Sequence, residues 1–268
     1  MGLVAAFGAA DVSSVIGSAS PAPPAAIAPA AAGKSFVTVV RHESAPAKAE
    51  QRRADTTSAA APEAAVMVPC AGGRWQRDIE QDLDQLGRFG AVIVDGRQSP
   101  ADCSTIRAFQ QRFGIEPAQG QADAATADVA RRIAVSSTPQ RQQRCDAGSD
   151  VTACVDLSLQ TVWVMRDGAV VTEPTVVRTG FRGHATPAGI YRINKRSEKE
   201  WSDPYSVWLP YWQRFIGGIG FHESTTYLHD ATRGSHGCVN LLHYDAVQMW
   251  DQLQMGATVH TFGRRPGT

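Results

Sequence analysis

The sequence has no net charge: 26 lysines and arginines balance 26 aspartates and glutamates. A basic excess of the kind that marks a nucleic-acid binder is therefore missing, and no nucleic-acid partner is expected. No run of eighteen or more apolar residues occurs, which excludes an ordinary membrane-spanning helix. Neither Cys-x-x-Cys nor His-Glu-x-x-His is present, so the commonest zinc signatures are absent. Aromatic residues make up only 7% of the chain. No internal repeat is found. The N-terminal stretch GLVAAFGAADVSSVIGSASPA has small residues near Ala19-Ser20 but lacks a basic start, and Asp11 interrupts its apolar run.

Cysteine is scarce, and its five positions are informative: Cys70, Cys103, Cys145, Cys154 and Cys238. An odd number in an oxidising compartment implies pairs plus one free thiol. Cys238 is the odd one out, because its neighbours look chemical. The other four allow three pairings. Cys70 with Cys103 and Cys145 with Cys154 is favoured, since each pair falls within one segment. Four buried free thiols in a cytosolic protein is the competing reading.

Three textures follow one another. Residues 1–68 are rich in Ala, Pro, Ser and charge, with no sustained apolar period; this composition reads as a disordered linker. Residues 70–135 carry helical spacing. Ile79, Leu83 and Leu86 recur before Gly87; Ile106, Phe109 and Phe113 follow Ser104 and stop at Gly114; Val129 and Ile133 follow Ala125-Thr126. VIVDGRQSPADC between the first two helices reads as a loop. Residues 151–263 turn strand-like. VDLSLQTVWVM is β-branched and aromatic, Arg166-Asp167-Gly168 is a hairpin turn, and GIYRINKR and ATVHTF are further strands. A last helix is expected over 243–255, with Val247, Trp250 and Leu253 inward and Gly256 as its cap. The fold class is multidomain: a small three-helix module and a β-rich mixed sandwich with few helices.

The candidate site is TRGSHGCVNL. A thiol attacks acyl carbon as thiolate, which a neighbouring imidazole or backbone N–H groups can favour. Gly237 lets the backbone turn tightly, so the amides of Gly237 and Cys238, with His236, can form an oxyanion hole. A histidine must then serve as base and later as acid. His222 follows the apolar run IGGIGF, which reads as a strand end; His229 lies in a polar loop. A strand end holds a base better, so His222 is chosen. His222, His229, His236 and His243 recur every seven residues, but Gly234 and Gly237 break any helix that would align them, so no metal or other cofactor is assigned. Tyr191, Trp208 and Trp212 are read as core rather than as groove.

Ser235-His236-Gly237-Cys238-Val239-Asn240 with an upstream histidine resembles the catalytic domain of the L,D-transpeptidases, cysteine enzymes of bacterial cell-wall assembly. The hairpin VDLSLQTVWVMRDG, the segment Thr186-Pro187-Ala188-Gly189, the aromatic stretch Pro210-Tyr211-Trp212 and the closing GATVHTF add to the likeness over about residues 151–262. The resemblance implies Cys238 as nucleophile, His222 as general acid/base, and Ser235, His236, Gly237 and Asn240 as residues that shape the site. Asn240 stands where many members have arginine, and Glu223 where a small residue is common. The helical region resembles a peptidoglycan-binding module through Phe109-Gln110, Gly120 and Thr126, with a structural module lacking such affinity as the competing reading. The implied partner is peptidoglycan: a tetrapeptide stem as acyl donor and a second stem as acceptor, giving 3-3 cross-links. The resemblance also implies acylation of Cys238 by carbapenems. The protein is expected to act as a monomer outside the bacterial cytoplasm. An L,D-carboxypeptidase using water as acceptor, an inactive cell-wall-binding protein and a metallopeptidase are the alternatives.

Overall fold

A computed structural model describes residues 70–268 except Thr225. The expected linker and its signal-like start lie outside the described residues. Four helices come first: α1 (Gln76–Leu86), α2 (Pro100–Phe113), α3 (Ala124–Ser136) and the single turn α4 (Pro139–Gln142). Ile79 and Leu83 of α1, Ile106, Phe109 and Phe113 of α2, and Val129 and Ile133 of α3 are buried together. Gly87 ends α1 in the left-handed region at φ 63°, which costs glycine nothing.

Helix α2 begins earlier than the spacing predicts. Ser99, not Ser104, is its N-cap: its hydroxyl accepts from the Asp102 amide, while the Asp102 carboxylate accepts from the Ser99 amide. This reciprocal capping, with Pro100 in the first turn, draws PADC out of the expected loop and into the helix. Buried Gln110 ties the module together. Its side-chain oxygen accepts from the Gly120 amide at 2.7 Å. Its side-chain nitrogen donates to Thr126 Oγ1 at 2.9 Å and to the Gln121 carbonyl at 3.0 Å. Gln110, Gly120 and Thr126, three of the residues that carry the likeness to a wall-binding module, are thus one hydrogen-bonded unit. The disulfide Cys70–Cys103 staples the module's start to α2, and Cys145–Cys154 staples the segment after α4 to the first strand.

Nine strands follow: β1 (Thr152–Asp156), β2 (Thr161–Arg166), β3 (Ala169–Val176), β4 (Gly189–Arg192), β5 (Lys195–Ser202), β6 (Val207–Ile216), β7 (Ile219–Glu223), β8 (Val239–Leu241) and β9 (Thr258–Phe262), with helix α5 (His243–Gln252) before β9. VDLSLQTVWVM is therefore two strands and a turn rather than one run. Asp167 and Gly168 both adopt positive φ, 51° and 75°, as a two-residue hairpin loop requires. One sheet has the order β3-β2-β1-β9-β4 and the other β5-β6-β7-β8. Each contains one parallel pair, β1 with β9 and β7 with β8. Val155, Val162, Val164, Ile193, Phe215, Phe221, Val239, Leu241 and Val259 fill the core shared by the sheets, and Met249 and Leu253 of the α5 region close it. The inward face of α5 is accordingly Ala246 and Met249; Val247 and Trp250 are only half-buried, and the helix ends at Gln252 with Leu253, not Gly256, as its cap.

The helices do not stand apart from the sheets. Val176, Leu228 and Leu242 join the apolar cluster of α1, α2 and α3. Arg112 of α2 grips buried Asp245 of α5 through both guanidinium nitrogens, at 2.6 and 3.4 Å, and Thr175 donates to the same carboxylate. Arg132 of α3 donates to the carbonyls of Leu159 and Gln160 in the β1–β2 turn.

Candidate active site

Strands β7 and β8 run parallel, with Phe221 opposite Val239 and His222 opposite Asn240. Side chains alternate along a strand, so residues two apart share a face. Phe221, Val239 and Leu241 point into the apolar core. His222, Cys238 and Asn240 fall on the other face and line one cavity of about 410 Å³. Cys238 sits just before β8, and its thiol donates to the Gly218 carbonyl at 3.8 Å. The register thus brings together a thiol and an imidazole sixteen residues apart in the chain.

The turn before Cys238 is fixed from several sides. Ser235 Oγ donates to the Cys238 carbonyl at 2.6 Å and accepts from the Gly237 amide at 3.1 Å. The Gly237 amide, expected to face a reacting carbonyl, is therefore engaged. Gly237 has φ 118°, and a β-carbon there would lie 2.7 Å from Ile219 Cδ1, so any side chain would be both strained and crowded. Thr186 Oγ1 donates to the Gly237 carbonyl at 2.7 Å and accepts from the Gly180 amide at 3.0 Å. Arg265 donates to the carbonyls of Thr179, Gly180, Ala231 and Arg233, binding both flanks of the turn.

The histidine is equally constrained. His222 Nδ1 lies 2.8 Å from the Glu223 carbonyl oxygen. A carbonyl only accepts, so Nδ1 carries the proton and Nε2 keeps its lone pair. Burial pushes the His222 pKa below its ordinary value of 6.5, against smaller opposing effects of the Glu223 carbonyl and carboxylate. Burial also pushes the Cys238 thiol up, and a hydrogen bond from the Gly220 backbone does not cancel it. Both directions favour a neutral thiol beside a neutral imidazole. Burial thus works against a preformed thiolate, the opposite direction to the pKa lowering that the sequence calls for.

The four histidines of the sevenfold spacing face four different partners. His222 faces the cavity, and His229 Nε2 donates to the Phe113 carbonyl of α2 at 2.8 Å. His236 stacks on Tyr205 with ring centres 4.6 Å apart, and His243 Nδ1 meets Glu223 Oε2 at 2.8 Å. Among the described residues no three His, Cys, Asp or Glu side chains gather to hold a metal ion. Tyr205 and Trp208 from the β5–β6 hairpin form one wall of the cavity. Trp208 is 52% exposed, so it belongs to the groove and not to the core, whereas Trp212 is buried.

Residues 150–261 match the family model of the YkuD L,D-transpeptidase catalytic domain. A solved L,D-transpeptidase (Yku) from Stackebrandtia nassauensis is 48% identical, with a TM-score of 0.70. The match covers 74% of this chain and 96% of that one. The chain belongs to the L,D-transpeptidase family. The share matched exceeds what residues 150–261 alone supply, so the likeness extends into the helices. Solved L,D-transpeptidases from Mycobacterium smegmatis and Mycobacterium tuberculosis H37Rv are 22% and 21% identical, with TM-scores of 0.37 and 0.40. Each match covers 43% of this chain, and 60% and 59% of theirs. No curated protein matches.

The loop between the histidine and the cysteine motif is anchored by Asn240 together with residues that the sequence did not single out. Asn240 Nδ2 donates to Tyr227 Oη at 2.6 Å. Arg178 exchanges backbone hydrogen bonds with Asn240, and its guanidinium donates to the Leu228 carbonyl. Burial lowers the Arg178 pKa to about 10. Arg265 lies 27 positions after Cys238 in a Gly-Arg-Arg-Pro segment with no recognisable pattern. Thr186 had a signal, as the first residue of the Thr-Pro-x-Gly segment.

Proposed function

We propose that the protein is a cysteine-dependent acyltransferase that joins peptidoglycan stem peptides through a thioester on Cys238. The observation that carries this reading is the shared cavity, in which the basic Nε2 lone pair of His222 and the Cys238 thiol occupy one face of neighbouring strands. The donor is a tetrapeptide stem ending in D-Ala. As its third carbonyl approaches, the thiol proton passes to His222 Nε2. Sulfur attacks the carbonyl carbon, the C–N bond to D-Ala breaks, and the imidazolium returns the proton to the leaving amine. The neutral resting pair supports proton transfer on demand. With the Gly237 amide bound to Ser235, the amides of His236 and Cys238 are the donors left to stabilise the oxyanion.

In the second half, the side-chain amine of another stem attacks the thioester. His222 Nε2 takes a proton from the attacking nitrogen as the C–N bond forms, returns it to sulfur as the C–S bond breaks, and the product is a 3-3 cross-link. Ser235 and Gly237 hold the turn, His236 belongs to the aromatic wall, and Asn240 fixes the loop through Tyr227. The helical module would add affinity for the wall, and the two disulfides support an oxidising, extracytoplasmic location.

Intact mass after incubation with a carbapenem tests the first half directly. The expected result is one adduct per chain, absent in Cys238→Ala. A folded protein with its thiol reduced and no adduct would overturn the reading in favour of an inactive wall-binding protein.

A further inference from the structure

We infer that the exposed tryptophan pair Trp201 and Trp208, on the hairpin of β5 and β6, is a docking surface for the glycan strand that carries the donor stem. This rests on the reading above of Cys238 as acyl carrier and deepens it by giving the sugar end of the substrate a place to bind.

Trp201, Tyr205, Val207 and Trp208 are each 44–52% exposed, so large apolar side chains crowd the tip of one hairpin. Trp201 and Trp208 are direct cross-strand partners, with ring centres 5.2 Å apart in an edge-to-face arrangement. Their direction follows from β5. Arg196 reaches the α5 side of the sheet, where its guanidinium lies 3.9 Å from the Trp250 ring centre. Side chains alternate along a strand, so Lys199 and Trp201 point the other way. Lys199 Nζ accordingly lies over the Trp208 ring, 4.7 Å from its centre. That other face is the one that carries His222. Trp212, paired with Ser197 farther along the same strands, has its ring 6.1 Å from the imidazole. The tryptophan pair therefore continues the wall that Tyr205 and Trp208 give the cavity.

The lengths agree. Trp208 stands four residues before Trp212 on β6, about 13 Å along the strand. In the donor, a lactyl ether and three stem residues lie between the first sugar and the attacked carbonyl, a span of at most about 14 Å. A stem with its third carbonyl at Cys238 and its start toward the hairpin thus delivers the sugar to the indoles. A pyranose ring has a face of C–H bonds and a polar rim, and the negative face of an indole attracts such C–H groups. Other occupants fit less well. β5 is an edge strand, and its charged residues Lys195, Arg196, Glu198, Lys199 and Glu200 oppose pairing with a second copy. Glu198 and Asp203 are exposed beside the pair and repel an anionic lipid surface, whereas a chain of N-acetylated sugars is uncharged.

With the full chain, D-Ala release is followed for two donors: the free stem tetrapeptide, and the same tetrapeptide on its disaccharide. The native protein should show a KM about tenfold lower for the disaccharide form. Trp201→Ala should raise that KM to the value for the free tetrapeptide, with kcat and the free-tetrapeptide KM unchanged. Trp201→Phe should keep part of the difference. Equal KM values for the two donors in the native protein would overturn the inference. So would equal losses with both donors in Trp201→Ala, which would show a role in shaping the cavity. Sugar binding is read separately with a tetramer of β-1,4-linked N-acetylglucosamine, which should shift the indole N–H signals of Trp201 and Trp208 in NMR spectra. No shift, or shifts confined to Trp75 at the start of α1, would overturn the inference. A dimer that Trp201→Ala dissolves would give the surface to a second copy and overturn it too. Absence of D-Ala release from both donors would overturn the acyl-enzyme reading instead, and the tetramer titration would then decide the sugar surface alone.

Discussion

Replacing Thr186 by valine tests whether the cysteine turn is held from below. The two side chains have nearly the same shape, so no cavity opens; only the hydroxyl is lost. That hydroxyl is buried and serves two backbone groups, accepting from the Gly180 amide at 3.0 Å and donating to the Gly237 carbonyl at 2.7 Å. A buried polar group left without a partner costs about 1–3 kcal/mol. Two such groups set an upper range of about 2–6 kcal/mol, and since the carbonyl and amide can relax toward other partners the expected loss is about 2–3 kcal/mol. For a folded unit of this size, 1 kcal/mol shifts the melting temperature by about 2–4 °C, so a drop of about 4–12 °C should appear by calorimetry. The turn also carries the proposed nucleophile, and small misplacement of a reacting atom is costly. The carbapenem acylation rate of the remaining folded protein should therefore fall at least about tenfold. A variant that melts within about 2 °C of the native protein and acylates at the same rate would refute the view that Thr186 fixes Gly237.

Two further outcomes follow from the electrostatics. The acylation rate should depend on neutral His222, whose pKa is pushed below 6.5 by burial; the rate should hold through neutrality and be lost only as pH falls through a midpoint under 6.5, whereas a midpoint above 7 would contradict the neutral resting pair. Asp245→Asn removes the charge that Arg112 and Thr175 share. Breaking a buried ion pair costs about 3–5 kcal/mol, and since Arg112 is 28% exposed, a loss of about 2–4 kcal/mol is expected in urea unfolding. A loss below about 1 kcal/mol would mean that the pair adds nothing to the docking of α2 on α5.

How much of this was legible in the sequence depends on the range of the forces involved. Helices α1 and α3 declared themselves through Ile79, Leu83, Val129 and Ile133, because a 3.6-residue period is a local property. The early start of α2 was equally local, but the Ser99–Asp102 capping pair went unread beside the apolar run that followed it. The inward face of α5 was read only in part: Leu253 is buried as expected, but Ala246 and Met249 are buried where Val247 and Trp250 were expected. Cys238 and His222 stood out because their residue types are rare and their spacing matches a strand end and a glycine turn. The holding groups did not. Arg265, Arg178 and Tyr227 act through carbonyls and an amide supplied by distant segments, and no local pattern predicts which carbonyl a distant guanidinium will find. The burial of Cys238 and His222, which raises the one pKa and lowers the other, was hidden for the same reason, since it depends on strands that the sequence does not show together.

The placement of the helices bears on the chemistry more than their resemblance to a binding module suggests. The loop from Ser224 to Gly234 connects His222 to the turn before Cys238. Its early part lines the cavity through Ser224, Thr226 and Tyr227. Its middle turns away, where Leu228 joins the core of α1, α2 and α3 and His229 donates to the Phe113 carbonyl. Leu242, one residue past β8, enters the same core. The two segments that carry His222 and Cys238 are therefore each followed, within seven residues, by a side chain sunk in the helical core. A loop bound at one end only would let Tyr227 leave Asn240 and the cavity widen. Bound at both, it holds the pair in register, and the helices are part of the structure that shapes the proposed active site.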